Sequence, residues 1–120
     1  MFHKMLRAKI HRATVREADI NYVGSITIDP LLYEAVGILP YEEVLVVDLN
    51  NGARFETYVI PGPRDSGQIC VNGAAARLVH PGDRIIIMAF AYVTPDEAKT
   101  LQPAIMLVDE NNRADRLLDC

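Results

Sequence analysis

Apolar and polar positions along the chain alternate in short runs, with a period nearer two than three or four. In Leu6-Arg7-Ala8-Lys9-Ile10-His11 the alternation is strict, which in a strand sends Arg7, Lys9 and His11 to one face and Leu6, Ala8 and Ile10 to the other. Residues 44–49 and 53–60 are β-rich runs flanking Asn51-Gly52, whose tolerance of positive φ favours the tight turn of a hairpin. Residues 69–71 lead as a strand into Asn72-Gly73-Ala74-Ala75-Ala76. His80-Pro81-Gly82-Asp83 then turns the chain into residues 84–90, where three consecutive isoleucines predict a strand buried on both faces. Pro103 precedes a last strand over Ala104–Val108.

Two short helices interrupt this pattern. Asp29 as N-cap, Pro30 at the first helical position and Gly37 just past the end predict a helix of roughly two turns. Thr94 and Glu97 have capping-box spacing and open the second. Residues 109–120 alternate charge without an apolar stripe and predict a loosely held tail. Together these elements predict a mainly β domain, a compact barrel or sandwich with helical decorations, and closure would remove the edges that β-branched runs otherwise expose.

Composition narrows the function classes. The chain has 120 residues, half of them hydrophobic and 23% charged, which suits a single domain over residues 1–120 with one core. A net charge of −4 argues against steering toward nucleic acid or an anionic membrane surface. Residues 1–16 run the other way, with Lys4, Arg7, Lys9, Arg12 and Arg16 and no acidic residue, yet no aromatic is interleaved with them, so a solvated strand face is expected rather than an RNA-binding one. The same segment lacks the apolar core of a secretory signal, and no run approaches membrane-spanning length. Cys70 and Cys120 form neither a metal-ligand pair nor a disulfide framework, and a reducing cytoplasm is the simplest compartment. His3, His11 and His80 are scattered, so no metal site is expected.

The familiar catalytic motifs are missing. Val23-Gly24-Ser25-Ile26-Thr27 lacks both outer glycines of a hydrolase nucleophile elbow, and neither a phosphate loop nor a dinucleotide fingerprint is present. What remains is a Gly24-Ser25 bond between a turn-prone segment and the start of a strand.

Four stretches make sense of that bond as a set: Lys9-Ile10-His11, Tyr22-Val23-Gly24-Ser25, Asn51 through Tyr58 (NGARFETY), and Val71 through Ala76 (VNGAAA). In order and spacing, from about Met5 to the last strand, the chain resembles the pyruvoyl-dependent aspartate 1-decarboxylase family. The resemblance implies a small closed six-stranded double-psi β-barrel with short helices. It implies a homotetramer with sites at subunit interfaces, and decarboxylation of L-aspartate to β-alanine and CO2 for pantothenate, and hence coenzyme A, biosynthesis. It further implies self-cleavage between Gly24 and Ser25 into residues 1–24 (β chain) and 25–120 (α chain), with Ser25 becoming a pyruvoyl group.

The residue types suit this chemistry. Ser25 Oγ can attack the Gly24 carbonyl only across a sharply bent backbone, which a residue without Cβ permits. The resulting ester can eliminate, and the dehydroalanine left behind hydrolyses to a ketone. Such a ketone forms the same kind of Schiff base with the substrate amine that pyridoxal phosphate would, so neither that cofactor nor a metal is implied.

Carried over by the resemblance, Arg54 is the substrate-carboxylate clamp, a planar fork suited to bidentate pairing, and Tyr58 is the proton donor to the α-carbon. Thr57 contacts substrate and assists cleavage. Asn72, Gly73, Ala74 and Ala75 form the pocket wall, Lys9 adds positive charge, and His11 and Tyr22 contribute from further out. Without the resemblance, Arg54 reads as a surface arginine beside a hairpin, Tyr58 and Thr57 as strand formers, residues 72–75 as a tight turn and Lys9 as a solvated lysine. Arg54, Glu56 and Tyr58 share one strand face while Thr57 faces the other, which predicts a bulge or strong twist near Thr57, or a site completed by a neighbouring subunit. Two positions depart from the family pattern: Arg77 follows the alanine triplet where histidine is common, and Val47 stands where some members carry tryptophan.

Two other functions are compatible with the same residues. A non-catalytic barrel acting as a binding module would remain uncut and tolerate replacement of Ser25. An anion- or RNA-binding module would bind with steep salt dependence.

Overall fold

The computed structural model describes residues 1–118; Asp119 and Cys120, with the end of the tail, lie outside the described residues. The elements in chain order are β1 (His3–Thr14), β2 (Glu17–Asp19), β3 (Ser25–Ile28), α1 (Pro30–Ala35), β4 (Glu43–Asp48), β5 (Arg54–Pro61), β6 (Ile69–Asn72), a 3-10 turn (Gly73–Leu78), β7 (Arg84–Val93), α2 (Pro95–Thr100), β8 (Ala104–Val108) and β9 (Ala114–Leu118). The strands form one ladder in the order β2-β6-β3-β5-β4-β7-β1-β8-β9. Three pairs in it are parallel: β1 with β8, β2 with β6, and β3 with β5. The fold is thus mainly β with short helices, as the sequence predicts.

A flat ladder could not bring its two halves together. Here Val71 of β6, Ile26 of β3, Val46 of β4, Ile87 of β7, Ile10 of β1 and Met106 of β8 belong to one buried cluster, so the inner face wraps around a single core. This is consistent with the barrel that the resemblance implies. Each fully buried isoleucine contributes on the order of 1.5–3 kcal/mol by leaving water. Leu32 and Tyr33 of α1 close over the cluster. The two short helices start as their capping residues predict. Asp29 accepts from Leu31 N at 3.0 Å, and Thr94 and Glu97 form a reciprocal capping box.

Asp29 does more than cap. Its buried carboxylate also accepts from Asp65 N and Gly67 N, both at 2.9 Å. Burial alone would raise its pKa, but the three backbone donors outweigh that and hold it below the usual carboxylate range.

Four expectations are corrected. The strand at residues 84–90 is buried on one face only: Ile85 and Ile87 are fully covered, while Ile86 is half-buried on the outside. Strand β1 is not regular. Register shifts between Leu6 and Ala8 and between His11 and Ala13 leave Arg7 and Arg12 as the extra residues. Leu6 therefore pairs with Phe90 on the outer face, beside Lys9 and Met88, and Arg7 turns away to an ion pair with Glu42. Residues 49–53 make a loop longer than a two-residue turn, because the Asp48 side chain accepts from Asn50 N and caps it, with Gly52 at φ +75°.

The tail, finally, is tied down as far as Leu118. Strand β9 pairs with β8, and buried Asn112 bonds Thr14 N and O and Gly67 O at 2.7–2.8 Å. An Arg113–Asp65 ion pair and a hydrogen bond from Arg16 to Asn111 O add to this hold, although every β9 side chain is exposed.

Candidate active site

Ser25 opens β3, and its neighbours follow from register. Strand β3 runs antiparallel to β6 with Ser25 opposite Asn72. It runs parallel to β5 with Ile26 opposite Val59, which places Ser25 beside Tyr58, one position earlier on both strands. Because Ile26 and Val59 face the core, Ser25, Asn72 and Tyr58 share the other side.

Although it faces away from the core, Ser25 is only 1% exposed. Its Oγ–H donates to Val23 O at 3.2 Å, and Asn72 Nδ2 donates to Ser25 Oγ at 2.9 Å. The same Nδ2 donates to Thr27 Oγ1 at 3.0 Å, and Cys70 Sγ lies 3.1 Å from Asn72 Oδ1.

Gly73 presses on Gly24, the residue before Ser25. It has φ +75°, and a Cβ built there would lie 2.6 Å from Gly24 Cα and 2.9 Å from Gly24 N. Only glycine permits that approach. A Cβ at Gly24 itself would meet nothing within 4 Å. Gly24 is therefore free on one side and pressed by the Gly73 backbone on the other. Ala74 is exposed beyond it, and Ala75 packs against the core.

A cavity of about 490 Å³ opens beside this cluster, lined by Tyr22, Thr27, Cys70 and Asn72 with Pro61 opposite and Glu17 and Asp19 on the rim. Burial, followed by the charges of Glu17 and Asp19, raises the pKa of the Cys70 thiol, so it carries its proton at neutral pH. A second cavity of about 420 Å³ lies on the outer face against Glu42, Glu43 and Glu56, whose charge would repel a dicarboxylate. There Lys4 Nζ sits 5.3 Å from the Phe90 ring centroid.

The remaining residues named from the sequence lie elsewhere. Arg54, Val47, Ile86 and His11 form one row across β5, β4, β7 and β1, and Glu56, Leu45, Met88 and Lys9 form the next. Both rows are on the outer face. Arg54 lies four residues from Tyr58, ~13 Å along the strand. Lys9 is four strands from β3, ~19 Å along the ladder. Thr57 is opposite Val44 on the inner face, and the β4–β5 register is continuous to Tyr58, so no bulge occurs at Thr57. Tyr58 instead stacks on Tyr41, with ring centroids 6.4 Å apart.

Burial lowers the His11 pKa, assisted by the positive charges of Lys9, Arg12 and Arg84, and its Nδ1 is buried with no hydrogen-bond partner among the described residues. One chain thus assembles Ser25, Gly24, Tyr58, Asn72 and Gly73, with Tyr22, Ala74 and Ala75 at the edge. It holds Arg54, Lys9 and His11 apart from them.

The sequence reading missed Thr27, Cys70 and Tyr41. The first two carry a legible signal, since Ser25 and Thr27, like Cys70 and Asn72, are polar pairs at a spacing of two in otherwise apolar strands. Tyr41 arrives from the loop before β4 and carries no such signal.

Comparison with known proteins agrees with this geometry. A family model described as aspartate decarboxylase matches residues 1–115. A Clostridium botulinum protein named aspartate 1-decarboxylase is 62% identical over 112 residues, covering 93% of this chain and 90% of its own. Proteins of the same name from Caldicellulosiruptor saccharolyticus and Bacillus cereus are 61% and 57% identical, each covering 98% of this chain and 91% and 93% of their own. With nearly its whole length matched, this chain belongs to the aspartate decarboxylase family.

Proposed function

We propose that this chain decarboxylates L-aspartate to β-alanine and CO2, as a carboxy-lyase whose working group is a pyruvoyl made from its own Ser25. The observation that carries the reading is the seating of Ser25 Oγ between Asn72 Nδ2 and Val23 O, next to a Gly24 packed so closely against residue 73 that only glycine fits there.

These residues fit that group and its formation. Ser25 Oγ adds to the Gly24 carbonyl as the C–N bond breaks, leaving an ester on Ser25 and a free amine. Elimination across Cα–Cβ of Ser25 releases the Gly24 carboxylate, and water then replaces ammonia to leave a ketone. Asn72 Nδ2 favours negative charge on Oγ as its proton leaves. The pyruvoyl group supplies a carbonyl for the substrate amine and an electron sink for the carbanion left by CO2.

Tyr58, which precedes Val59 as Ser25 precedes its partner Ile26, is the residue that would return a proton to the α-carbon. Tyr22 and Asn72 line the cavity beside Ser25, and residues 73–75, which follow Asn72 directly, are the proposed continuation of its wall. Thr57 lies opposite Val44 on the inner face of β5, so the proposed contact of Thr57 with substrate is not one that this arrangement of a single chain supplies. β-Alanine then serves pantothenate synthesis.

Substrate recognition needs the outer face. Arg54 and Lys9 supply the positive charge that two carboxylates require, but on one chain they stand too far from Ser25 to hold aspartate there. Leu45, Val47, Ile86, Met88, Ile105 and Leu107 share that face and are half-buried, an apolar sheet surface suited to covering by another copy. The proposed assembly is a homotetramer in which this face of one protomer closes the Ser25 pocket of the next.

Denatured mass spectrometry tests the reading. The expected result is two fragments, residues 1–24 and residues 25–120, the second lighter by one ammonia than a serine-initiated chain, together with β-alanine formation from aspartate. A single mass of 13.4 kDa after prolonged warming and in cell extract would overturn it.

A further inference from the structure

We propose that Cys70 is a positioning residue for the self-cleavage: its S–H donates to Asn72 Oδ1 and fixes which end of the Asn72 amide meets Ser25. The two ends of an asparagine amide are nearly identical in shape, so only their partners decide the orientation. Two of the three partners here cannot decide it. Ser25 Oγ, 2.9 Å away, and Thr27 Oγ1, 3.0 Å away, are hydroxyls able to donate or accept. Cys70, 3.1 Å from Oδ1, breaks the tie, because a thiol is a donor to oxygen and a poor acceptor from N–H.

The orientation matters to the chemistry. With Nδ2 toward Ser25, the amide stabilises negative charge developing on Oγ, and the hydroxyl proton is left to Val23 O. With the amide reversed, Oδ1 would compete for that proton and set a lone pair against the nucleophile. Alternation along β6 puts Cys70 and Asn72 on one face, opposite Thr27 and Ser25 of β3, so the four polar groups form a closed patch. Cys70 is only 4% exposed, and burial beside Glu17 and Asp19 keeps the thiol protonated and able to donate.

This inference rests on the proposed self-cleavage, and the experiment separates the two. Wild type, Cys70→Ser and Cys70→Val are expressed in a short pulse, and the cleaved fraction is followed by denatured mass spectrometry alongside thermal melting. Serine can still donate but, as a hydroxyl, can also accept, so it permits the orientation without enforcing it; valine keeps the bulk and loses the donor. The expected result is cleavage at least about tenfold slower than wild type for Cys70→Val, the scale of one lost hydrogen bond in a transition state, with Cys70→Ser between the two. If Cys70→Val does not fold, Cys70→Ala replaces it. Cleavage of the donorless variant at the wild-type rate, or Ser slower than Val, would overturn the role of Cys70 and leave the enzyme reading standing. Absence of cleavage in wild type would overturn the enzyme reading and this inference with it.

Discussion

Around Ser25 the chain is so closely packed that a single added carbon at residue 73 would sit 2.6 Å from Gly24 Cα, whereas the outer face of β5, β4, β7 and β1 leaves Arg54 exposed and Lys9 without an ion-pair partner among the described residues. The first region is finished by one chain. It needs a left-handed glycine, a buried serine and an amide with three partners, all supplied by the register between β3 and β6. The second has charge and apolar surface but no enclosure. On the proposed function, the contrast separates two tasks: breaking the chain's own bond would draw on groups one protomer already brings together, while holding a dicarboxylate would need a surface that one protomer does not close.

The sharpest way to break this division is at the glycines. Gly73→Ala forces a Cβ into the Gly24 backbone at a positive φ, and about 2–5 kcal/mol of lost stability is expected from strain and overpacking together. Cleavage should fall below detection by mass spectrometry. Gly24→Ala meets nothing within 4 Å, so denaturant unfolding should find its precursor within about 1 kcal/mol of wild type. Equal losses in both variants would show that the Gly73 contact does not govern this region.

The outer face should behave in the opposite way. Arg54→Ala should leave cleavage and melting nearly unchanged, since it removes an exposed side chain that makes no ion pair among the described residues. It should cost kcat/KM for aspartate on the order of 10- to 100-fold, the worth of charged hydrogen bonds to a carboxylate. Mixing restates the comparison directly. If each site takes Ser25 from one chain and Arg54 from another, coassembly of Ser25→Ala with Arg54→Ala chains should restore about a quarter of the sites. No recovery in a verified mixed assembly would mean that both residues act from one protomer.

The two regions also differ in how far the sequence disclosed them. Alternation in residues 6–11 and 44–60 revealed strands, and caps at Asp29 and Thr94 revealed helices, because these signals are local. Gly24-Ser25 and Asn72-Gly73 were legible as chemistry through the resemblance. That Gly73 rests on Gly24, or that Cys70 holds Asn72, depends on the pairing of β3 with β6 across more than forty residues, which no local pattern encodes. The bulges at Arg7 and Arg12 were hidden for a related reason. A strict two-residue alternation looks the same whether or not the partner strand skips a residue. The sequence predicts a bulge or strong twist at Thr57, or a neighbouring subunit, because Arg54 and Tyr58 share one strand face and Thr57 the other. The regular β4–β5 register removes the bulge, and completion by a neighbouring subunit is the route the proposed function takes.

The smallest effect sharpens the comparison from the outer side, at His11. Its neighbours in the fold are cationic, Lys9 and Arg12 on its own strand and Arg84 across from it, and burial and those charges together lower its pKa below the ordinary histidine value of 6.5. A base with a depressed folded pKa binds its proton more readily in the unfolded chain, so stability falls as the pH drops below 6.5 and the loss ends once the folded residue is also protonated. His11→Gln removes that titration, and a pH series of melting curves should show a shallower decline from pH 7 toward pH 5 than wild type, with the two converging at neutral pH. Ser25→Ala, which removes no titratable group, should keep the wild-type slope. A His11→Gln slope equal to that of wild type would show that the cationic crowding on the outer face is relieved by a partner surface before it reaches stability, and would shift the electrostatic cost of this face from the protomer to its assembly.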